Sequence, residues 1–467
     1  MAVPRRKKYR PWNPQAYAQQ AFSPADRLPQ GDLVFFLLDV IPQLDLEAFY
    51  ASYEVETRGQ PPFDPALLVC LLVYSYCVGV YSSRKIAQAC ERNLAFLAIV
   101  GDDRPDFRTI SDFRKGHLDT FAELFIRVLR LAHEAGLVQL GLFATDGSKL
   151  PGNASRHKAM SYGYMTKEQE RLKAEIKELL AQAQQTDEAE DAALGSRRGD
   201  ELPDELRFRE QRLTKIQEAK QRLEKQAKEQ AQTQRQRRAE AEAQWERAGK
   251  KRPGKEPKPP SEVPNDKAQT SFTDPELKMM PQNNKGWDYG VNAQVVVDDA
   301  CQIIVACDCV SETNDKQQAV PMAAKALANI AAAGIERPRD ATGQARKIIS
   351  VEDAGYFSGT AVSGLEALGF DPYMATERQK HHAAGPSVAG ATPVEQMRSK
   401  LLTAVGRGVY GLRKGVVEPV FGQIKGGRGF RRFSLRGLEK VRGEWRLVCL
   451  THNLLKLWRY RCAPSLN

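Results

Sequence analysis

Three acidic residues of this chain occupy positions from which their carboxylates can act on one phosphate. Asp146 ends a short apolar run, Asp353 ends a second one, and Glu418 lies in a late helical stretch. Carboxylates brought together in this way can hold two hard divalent cations about 4 Å apart, which in-line attack on a phosphodiester needs. Mg²⁺ prefers oxygen ligands and retains waters, so three carboxylates suffice, with Mn²⁺ as a substitute. We therefore expect these three residues to be catalytic and to bind two metal ions.

Each acid taken singly has a plainer interpretation. An aspartate at a strand end is more often a turn former or a helix cap than a metal ligand. The set is harder to explain by packing, because acids end two strands and a third lies on a helix in a strongly basic region. The combination therefore favours the metal site.

The basic region is the last part of the chain. Residues 401–467 contain 14 lysines and arginines against three acidic residues, and the resulting charge of +11 equals that of the entire chain. Such concentrated charge is expected of a surface that contacts nucleic acid. A solvated tail is the alternative, although apolar residues interleave with the charges. The side chains expected to bind double-stranded DNA are those of Tyr410, Arg413, Lys425, Arg428, Arg431, Arg432 and Arg436.

The elements that position these residues follow from hydrophobic periodicity. From Gly141 onwards, short apolar runs alternate with helical stretches, which predicts an α/β fold. The segment from Asp146 to Lys149 would be a loop after the first strand. The expected strands are 142–145, 287–297, 302–310, 347–351 and 372–375, and the expected helices between them are 317–333 and 360–368.

Residues 1–140 have apolar positions at helical spacing, which predicts short helices joined by tight loops. Such a segment can read DNA as a helix-turn-helix does, or it can serve plain helical packing or dimerisation. DNA reading would use exposed basic side chains, namely those of Arg84, Lys85, Arg108, Arg114 and Lys115.

Residues 166–270 interrupt the α/β pattern and are rich in Glu, Gln, Lys, Arg and Ala. Leu172, Ile176, Leu179 and Ala183 are spaced by four, three and four residues, and a second helical run begins after Pro203. Heptad-like spacing with charged flanks predicts an antiparallel helical hairpin or coiled coil. We expect this insertion to be an arm for dimer contact or for bracing DNA.

The composition excludes several classes of protein. With 42% hydrophobic residues, a chain of 467 residues can bury a sizeable core in two or three domains. Eight cysteines without a CxxC pair and six histidines without ligand spacing argue against a zinc site. The most apolar stretch, 66–80, is shorter than the roughly 20 residues that span a bilayer. The basic N-terminus lacks the apolar segment of a signal peptide. We therefore expect a soluble cytoplasmic protein with neither membrane nor small-molecule partners.

The motifs around the three acids resemble those of bacterial insertion-sequence transposases of the DDE type. The sequence Asp-Gly-Ser-Lys at 146–149 resembles the first-aspartate motif of that family. Residues 352–358 (EDAGYFS) resemble the second motif, and residues 417–425 (VEPVFGQIK) resemble the glutamate motif. The large helical insertion here follows the first aspartate, whereas one large branch of the family more often carries β-structure before the glutamate.

Four residues resemble the Tyr-Arg-Glu-Lys signature of that branch, in which basic and tyrosine side chains hold phosphates near the transposon end. They are Tyr410, Arg413, Glu418 and Lys425. Four residues separate Arg413 from Glu418 where the signature usually has three, which rotates the arginine by about 100° on a helix.

The resemblance implies an RNase H-like catalytic core with a helical N-terminal domain. The chain would divide into a helical domain at 1–140 for DNA-end binding or dimerisation and a first core segment at 141–165. The helical insertion at 166–270 and the rest of the core with its basic helices at 271–467 would follow. The family activity is binding of terminal inverted repeats, Mg²⁺-dependent strand cleavage and transfer of the 3′-hydroxyl to target DNA. Action on two ends implies a homodimer on DNA, in a bacterial, nucleoid-associated protein.

Two other functions remain open from the sequence. An RNase H-like nuclease would use the same three acids and cut DNA without joining it. A domesticated, inactive transposase would use the basic region and the helical arm to bind or bridge DNA, although the intact carboxylates argue against it.

Overall fold

The computed structural model describes residues 10–13, 24–53, 60–155, 158–194, 204–247, 249, 258–282, 286–376 and 392–462. By its internal contacts the chain forms two units, Met1–Asn153 with Met280–Asn467, and Ala154–Met279. The second unit therefore interrupts the first in sequence.

The first unit begins with short helices, as the apolar spacing predicts. They are α1 (Leu33–Val40), α2 (Glu47–Ala51), α3 (Pro65–Cys77), α4 (Ser83–Arg92), α5 (Leu94–Val100), α6 (Phe107–Gly116) and α7 (Leu118–Glu134). Every residue of α3 is buried, which accounts for the continuous apolar run in the sequence. Asp64 caps this helix, its Oδ1 accepting from the Ala66 N–H at 2.8 Å.

The prediction that Arg114 is exposed is wrong. Arg114 is buried, and its guanidinium donates to Tyr81 O at 2.8 Å and to the Tyr76 hydroxyl at 3.1 Å. The reason is helical geometry, because Arg114 lies four residues after the buried Ile110 and shares its face of α6. The other four basic side chains of the proposed DNA reader are exposed. Their contact with DNA stays a prediction.

The described residues form eight strands and seven further α-helices. The strands are β1 (Leu142–Pro151), β2 (Ala159–Ser161), β3 (Gln269–Ser271), β4 (Lys278–Pro281), β5 (Trp287–Asp298), β6 (Ile303–Val310), β7 (Ile348–Glu352) and β8 (Phe370–Met374). The helices are α8 (Tyr162–Leu194), α9 (Asp204–Arg247), α10 (Ala319–Ala332), α11 (Gly359–Ala367), α12 (Pro393–Leu402), α13 (Ala404–Gly422) and α14 (Leu438–Cys462).

One mixed sheet carries the α/β part of the first unit. Its order is β6-β5-β1-β7-β8, and the short β4 also pairs with β5. β5 is antiparallel to β1 and β6, whereas β7 is parallel to β1 and β8. Helices α10 and α11 provide the crossovers that the parallel strands β7 and β8 require. The α/β fold predicted from the sequence is confirmed.

The first strand is longer than predicted. The segment from Asp146 to Lys149 is not a loop, because β1 continues to Pro151. Antiparallel pairing with β5 extends as far as Pro151 opposite Gly290 and satisfies the backbone groups of this segment. Asp146 therefore lies within a strand, on a backbone held by its neighbour.

The C-terminal helix belongs to the core. One side of α14 packs against α3, α7 and β6. Trp445 is fully buried and its Nε1 donates to Gln294 O at 3.0 Å. Asn453 also joins α14 to the sheet, since its side chain accepts from Ile304 N–H and donates to Ile304 O. The basic C-terminal region is thus not a solvated tail.

The second unit contains a pair of long helices, α8 and α9. They run antiparallel, because residues further along α8 contact residues earlier in α9. The contacts are Tyr162 with Glu224 at 2.8 Å, Glu168 with Arg212 at 2.9 Å, and Glu175 with Arg209 at 3.1 Å. An apolar cluster of Met165, Leu172, Ile216, Ala219 and Leu223 lies between the helices, and β2 pairs with β3. A coiled coil in the strict sense stays a prediction.

None of the described helices combines the length and the apolar character needed to span a membrane.

Candidate functional site

Asp146 lies within β1, and Asp353 directly follows the end of the neighbouring strand β7. In the parallel ladder, Thr145 of β1 pairs with Glu352 of β7. Asp146 directly follows Thr145, and Asp353 directly follows Glu352. Neighbouring strands are separated by roughly 4.8 Å, so the two carboxylates start from adjacent points of the sheet. Asp353 also begins a short turn, its Oδ1 accepting from the Ala354 N–H at 2.8 Å.

Helix α13 carries the third acid, Glu418, next to these strands. Thr403 caps the helix by accepting from the Gly406 N–H at 2.9 Å. The helix packs against β1, β5, β7 and β8. The buried residues of α13 on either side of Glu418 are Val416, Val417, Val420 and Phe421. Glu418 lies outside this apolar stripe and is exposed.

A proline follows Glu418 inside the helix. Pro419 has no N–H, so the carbonyl of Gly415 lacks its usual helical donor. Gln302 replaces that donor, because its Nε2 donates to Gly415 O at 2.9 Å. Lys456 of α14 in turn donates to the Gln302 side chain at 2.7 Å. The helix can therefore continue through Glu418 with this carbonyl satisfied.

The guanidinium of Arg413 faces the acids. Its Nη1 lies 3.4 Å from Asp146 Oδ2, in an ion pair whose side chains are 10% and 24% exposed. Burial lowers the pKa of Arg413, but Asp146, Asp353 and also Glu418 raise it, and the net direction is upward. One cation thus lies within electrostatic range of all three carboxylates. The Nε atom of Arg413 is buried and has no hydrogen-bond partner among the described residues.

The Asp146 carboxyl has an unfavourable environment for its charge. Burial raises its pKa, and the nearby carboxylates of Asp353 and Asp315 act in the same direction. The Gly147 N–H, which donates to Asp146 Oδ1 at 2.8 Å, and Arg413 oppose the rise. Like charges held together in this way suit an arrangement in which a cation neutralises them.

Lys425 and Tyr410 complete the surroundings of Asp146. Lys425 donates from Nζ to Ser148 Oγ at 2.8 Å, and Ser148 lies two residues after Asp146 on the same face of β1. Burial lowers the pKa of Lys425, and Asp146 raises it. Burial also raises the pKa of the half-buried Tyr410, whose hydroxyl is hydrogen-bonded to Arg413.

Arg428, a further predicted DNA contact, faces the core at α14. It is buried, and its Nη1 donates to Thr451 Oγ1 at 2.7 Å and to Val448 O at 3.1 Å. Burial lowers its pKa. Arg428 thus lies inside the core against α14, and a contact with DNA would require it to leave this position.

The remaining three arginines of this segment are exposed at its surface. Arg431 donates to Lys425 O at 3.2 Å, Arg432 pairs with Asp288 at 2.8 Å, and Arg436 donates to Asn153 O at 3.0 Å. Each keeps further donors available to solvent, since a guanidinium has five N–H groups.

Gly411, in the middle of α13, provides a test of local stability. An added Cβ at Gly411 would meet no atom within 4 Å. Because glycine in a helix interior costs about 0.5–1 kcal/mol relative to alanine, Gly411→Ala is expected to raise the free energy of unfolding by this amount in a urea titration. Gly406→Ala is the matched control in the same helix. It is expected to destabilise the protein, because its Cβ would lie 2.0 Å from Lys400 O. Lower stability of Gly411→Ala would contradict the structure of α13.

Sequence reasoning did not identify Asp315, which lies between β6 and α10. Its Oδ1 accepts from Asn292 Nδ2 at 2.6 Å and from Gln294 Nε2 at 2.8 Å. Its Oδ2 accepts from Lys149 Nζ at 2.9 Å. The local sequence, a polar segment between a strand and a helix, is equally typical of an ordinary loop.

The amide groups that reach Asp315 pass over Gly147. A Cβ at Gly147 would lie 2.1 Å from Gln294 Nε2 and 2.8 Å from Asn292 Oδ1. Gly147→Ala is therefore expected to displace the Gln294 amide from Asp315 and to lower the free energy of unfolding by about 1–3 kcal/mol, as overpacking does. Thermal and urea unfolding measure this change. Unaltered stability would show that the amides have room to move.

The three predicted metal ligands do not form a closed ligand set in the described structure. Among the described residues, no group of three or more His, Cys, Asp or Glu side chains is arranged so that it could hold a metal ion. Asp146 and Asp353 are adjacent through the strand register, and Glu418 is connected to them through the charge of Arg413.

Two regions of the chain match known protein families. Residues 22–116 match a family described as a transposase domain (DUF772), and residues 377–458 match a family described as a transposase DDE domain. The first region contains helices α1 to α6, and the second contains α13 with Glu418 and most of α14. No curated protein and no solved structure matches the chain.

Proposed function

The two matches support an insertion-sequence DDE transposase, and from this premise we propose that the chain cuts and rejoins the ends of a mobile DNA element. It would bind two terminal inverted repeats, cleave them in the presence of Mg²⁺ and join each 3′-hydroxyl to target DNA. The observation that carries the proposal is the register of β1 and β7, which makes Asp146 and Asp353 neighbours beside the helix of Glu418.

The strand order supports an RNase H-like core, the fold implied by the family resemblance. Three antiparallel strands, β6, β5 and β1, are followed by two parallel strands, β7 and β8. In chain order, Asp146 is on the first of these strands, β1, and Asp353 directly follows the fourth, β7. The glutamate is on a helix that packs against both strands. The helical pair α8 and α9 is inserted after the first aspartate.

Asp146, Asp353 and Glu418 are the residues that would hold the metal ions. Their chemistry fits hard divalent cations, because all three supply carboxylate oxygens. The raised pKa of Asp146 fits as well, since it arises partly from neighbouring carboxylates that a cation would neutralise. Bound Mg²⁺ would activate the attacking oxygen and stabilise the departing one. The exposed Glu418 side chain is free to adopt another rotamer, as closure of the ligand set requires.

The cationic side chains would position the DNA. Arg413 has a buried Nε without a partner among the described residues, which suits a further acceptor such as a phosphate oxygen. Lys425 reaches the same strand as Asp146, because it donates to Ser148, which lies two residues after Asp146 on β1. Tyr410 holds Arg413, and the exposed Arg431, Arg432 and Arg436 would contact the DNA backbone further away. Arg428 is not part of this proposed surface.

The experiment starts from DNA that the full chain selects from a random duplex pool. Selected duplexes, labelled at either end, are incubated with the protein, a target plasmid and Mg²⁺, and the products are separated on gels. The proposal predicts cleavage that leaves a 3′-hydroxyl, followed by joined products. Cleavage without joining would identify a nuclease. Binding without any cleavage would indicate a DNA-bridging protein. The proposed homodimer on DNA predicts a complex with two chains in light scattering.

A further inference from the structure

We propose that Asp315 is a positioning residue that fixes the spacing of Asp146 and Asp353, although it is not one of the three proposed metal ligands. This inference rests on the proposed function, because the spacing matters only if the two aspartates share metal ions. Asp315 lies outside the sequence motifs and is connected by side-chain hydrogen bonds to residues near both aspartates.

The connection to Asp146 runs through β1. Lys149, three residues after Asp146, forms an ion pair with Asp315 in which the side chains are 18% and 19% exposed. Asn292 and Gln294 of β5 bind the other oxygen of Asp315 and lie against Gly147. The part of β1 that follows Asp146 is thus held by these side-chain bonds to Asp315 as well as by its backbone pairing with β5.

The connection to Asp353 runs through the turn that this residue begins. The Tyr356 hydroxyl donates to Gln294 Oε1, and Gln294 donates to Asp315. Tyr356 is fully buried at the end of the turn Ala354–Tyr356. Asp315 also approaches the turn directly, because a Cβ on Gly355 would lie 3.6 Å from its Oδ2. One carboxylate is therefore tied to the segments that follow both aspartates.

The partners of Asp315 give it a structural task. Its Oδ1 accepts two amide N–H groups and its Oδ2 accepts an ammonium, whose charge balances that of the carboxylate. Asn292 and Gln294 are fully buried, so the amides have no solvent to replace this acceptor. Buried polar groups with satisfied partners make a local structure rigid, and loss of one acceptor leaves several donors unpaired.

The test is Asp315→Asn in the full chain. The substitution keeps the size of the side chain but replaces one acceptor oxygen by an NH₂ group, which cannot accept from the donors that bind Asp315. We expect it to weaken Mn²⁺ binding, measured by calorimetry, by about 10- to 100-fold, the usual effect of removing support behind metal ligands. The Mg²⁺ concentration for half-maximal DNA cleavage should rise in parallel. The maximal rate at saturating Mg²⁺ should change much less.

Asp308→Asn is the matched control. Asp308 has a similar exposure, 22%, and pairs with Lys325 at 2.6 Å and Arg442 at 3.1 Å. Among the described residues its side chain makes no hydrogen bond to Lys149, Gln294 or Tyr356, although Asp308 lies opposite Gln294 in the β5–β6 ladder. Asp308→Asn should therefore leave Mn²⁺ affinity unchanged. Equal Mn²⁺ affinity of Asp315→Asn and Asp308→Asn would overturn the inference.

A second variant covers the case in which Asp315→Asn does not fold. Tyr356→Phe removes only the hydroxyl that binds Gln294, and we expect a smaller loss of Mn²⁺ affinity in the same direction. Parent-like affinity of Tyr356→Phe would overturn the inference. A parent chain that neither binds Mn²⁺ nor cleaves DNA would contradict the proposed function itself, and the inference with it.

Discussion

Glu418→Gln is expected to reduce Mg²⁺-dependent cleavage of the selected DNA by on the order of 10³-fold, because a metal ligand that stabilises the transition state is worth several kcal/mol. The substitution keeps the shape of the side chain and removes its charge. Since Glu418 is exposed on α13, the fold should not change. Initial cleavage rates at saturating DNA and Mg²⁺ measure the effect.

The matched control for this prediction is Glu439→Gln. Glu439 is an exposed glutamate on α14 and pairs with Arg442 on the same helix. We expect cleavage by this variant to match that of the parent. Parent-like cleavage by Glu418→Gln, with thermal stability preserved in both variants, would remove Glu418 from the catalytic set.

The second large effect concerns Glu352, the buried neighbour of Asp353. Burial raises its pKa from an ordinary 4.5 to about 8, against the smaller effects of Ser350 and Lys400. The unfolded chain releases this proton near pH 4.5 and the folded chain near pH 8. Folding therefore favours the protonated acid, and the contribution to stability is largest below pH 4.5. The free energy of unfolding should fall as the pH rises from 4.5 to 8, by on the order of 4 kcal/mol.

Glu352→Gln should remove this pH dependence, because the amide stays neutral at every pH. Urea unfolding at a series of pH values between 4 and 9 is the measurement, with the exposed Glu366→Gln as the control for a surface carboxylate. The difference in stability between Glu352→Gln and the parent should grow with pH. A constant difference over this range would show that Glu352 is ionised in the folded protein at neutral pH.

Local sequence patterns predicted much of the fold because most helices and strands have a regular hydrophobic periodicity. The β5–β6 hairpin and the two crossovers lie close to their expected boundaries, since each depends on neighbouring residues. The length of β1 could not be predicted, because its second half is a strand only through pairing with β5, far along the chain. The environment of Arg114 was missed for a related reason. Its helix face is known only when the packing partners of α6 are known.

The candidate site also has a part that the sequence predicts and a part that only the folded chain reveals. The motifs identified Asp146 and Asp353, and the structure gives their adjacency through the pairing of Thr145 with Glu352. Asp315 escaped prediction because its role depends on amides from another strand and an ammonium from a third segment. The metal-binding roles of Asp146, Asp353 and Glu418 stay predictions.

The most direct test of the central claim is an anomalous difference map from crystals of the full chain soaked in Mn²⁺. The account predicts manganese within coordination distance of the Asp146 and Asp353 carboxylates, with the Glu418 carboxylate turned towards the same ions. A map with no manganese at these aspartates, at a Mn²⁺ concentration that supports DNA cleavage by the same preparation, would contradict it.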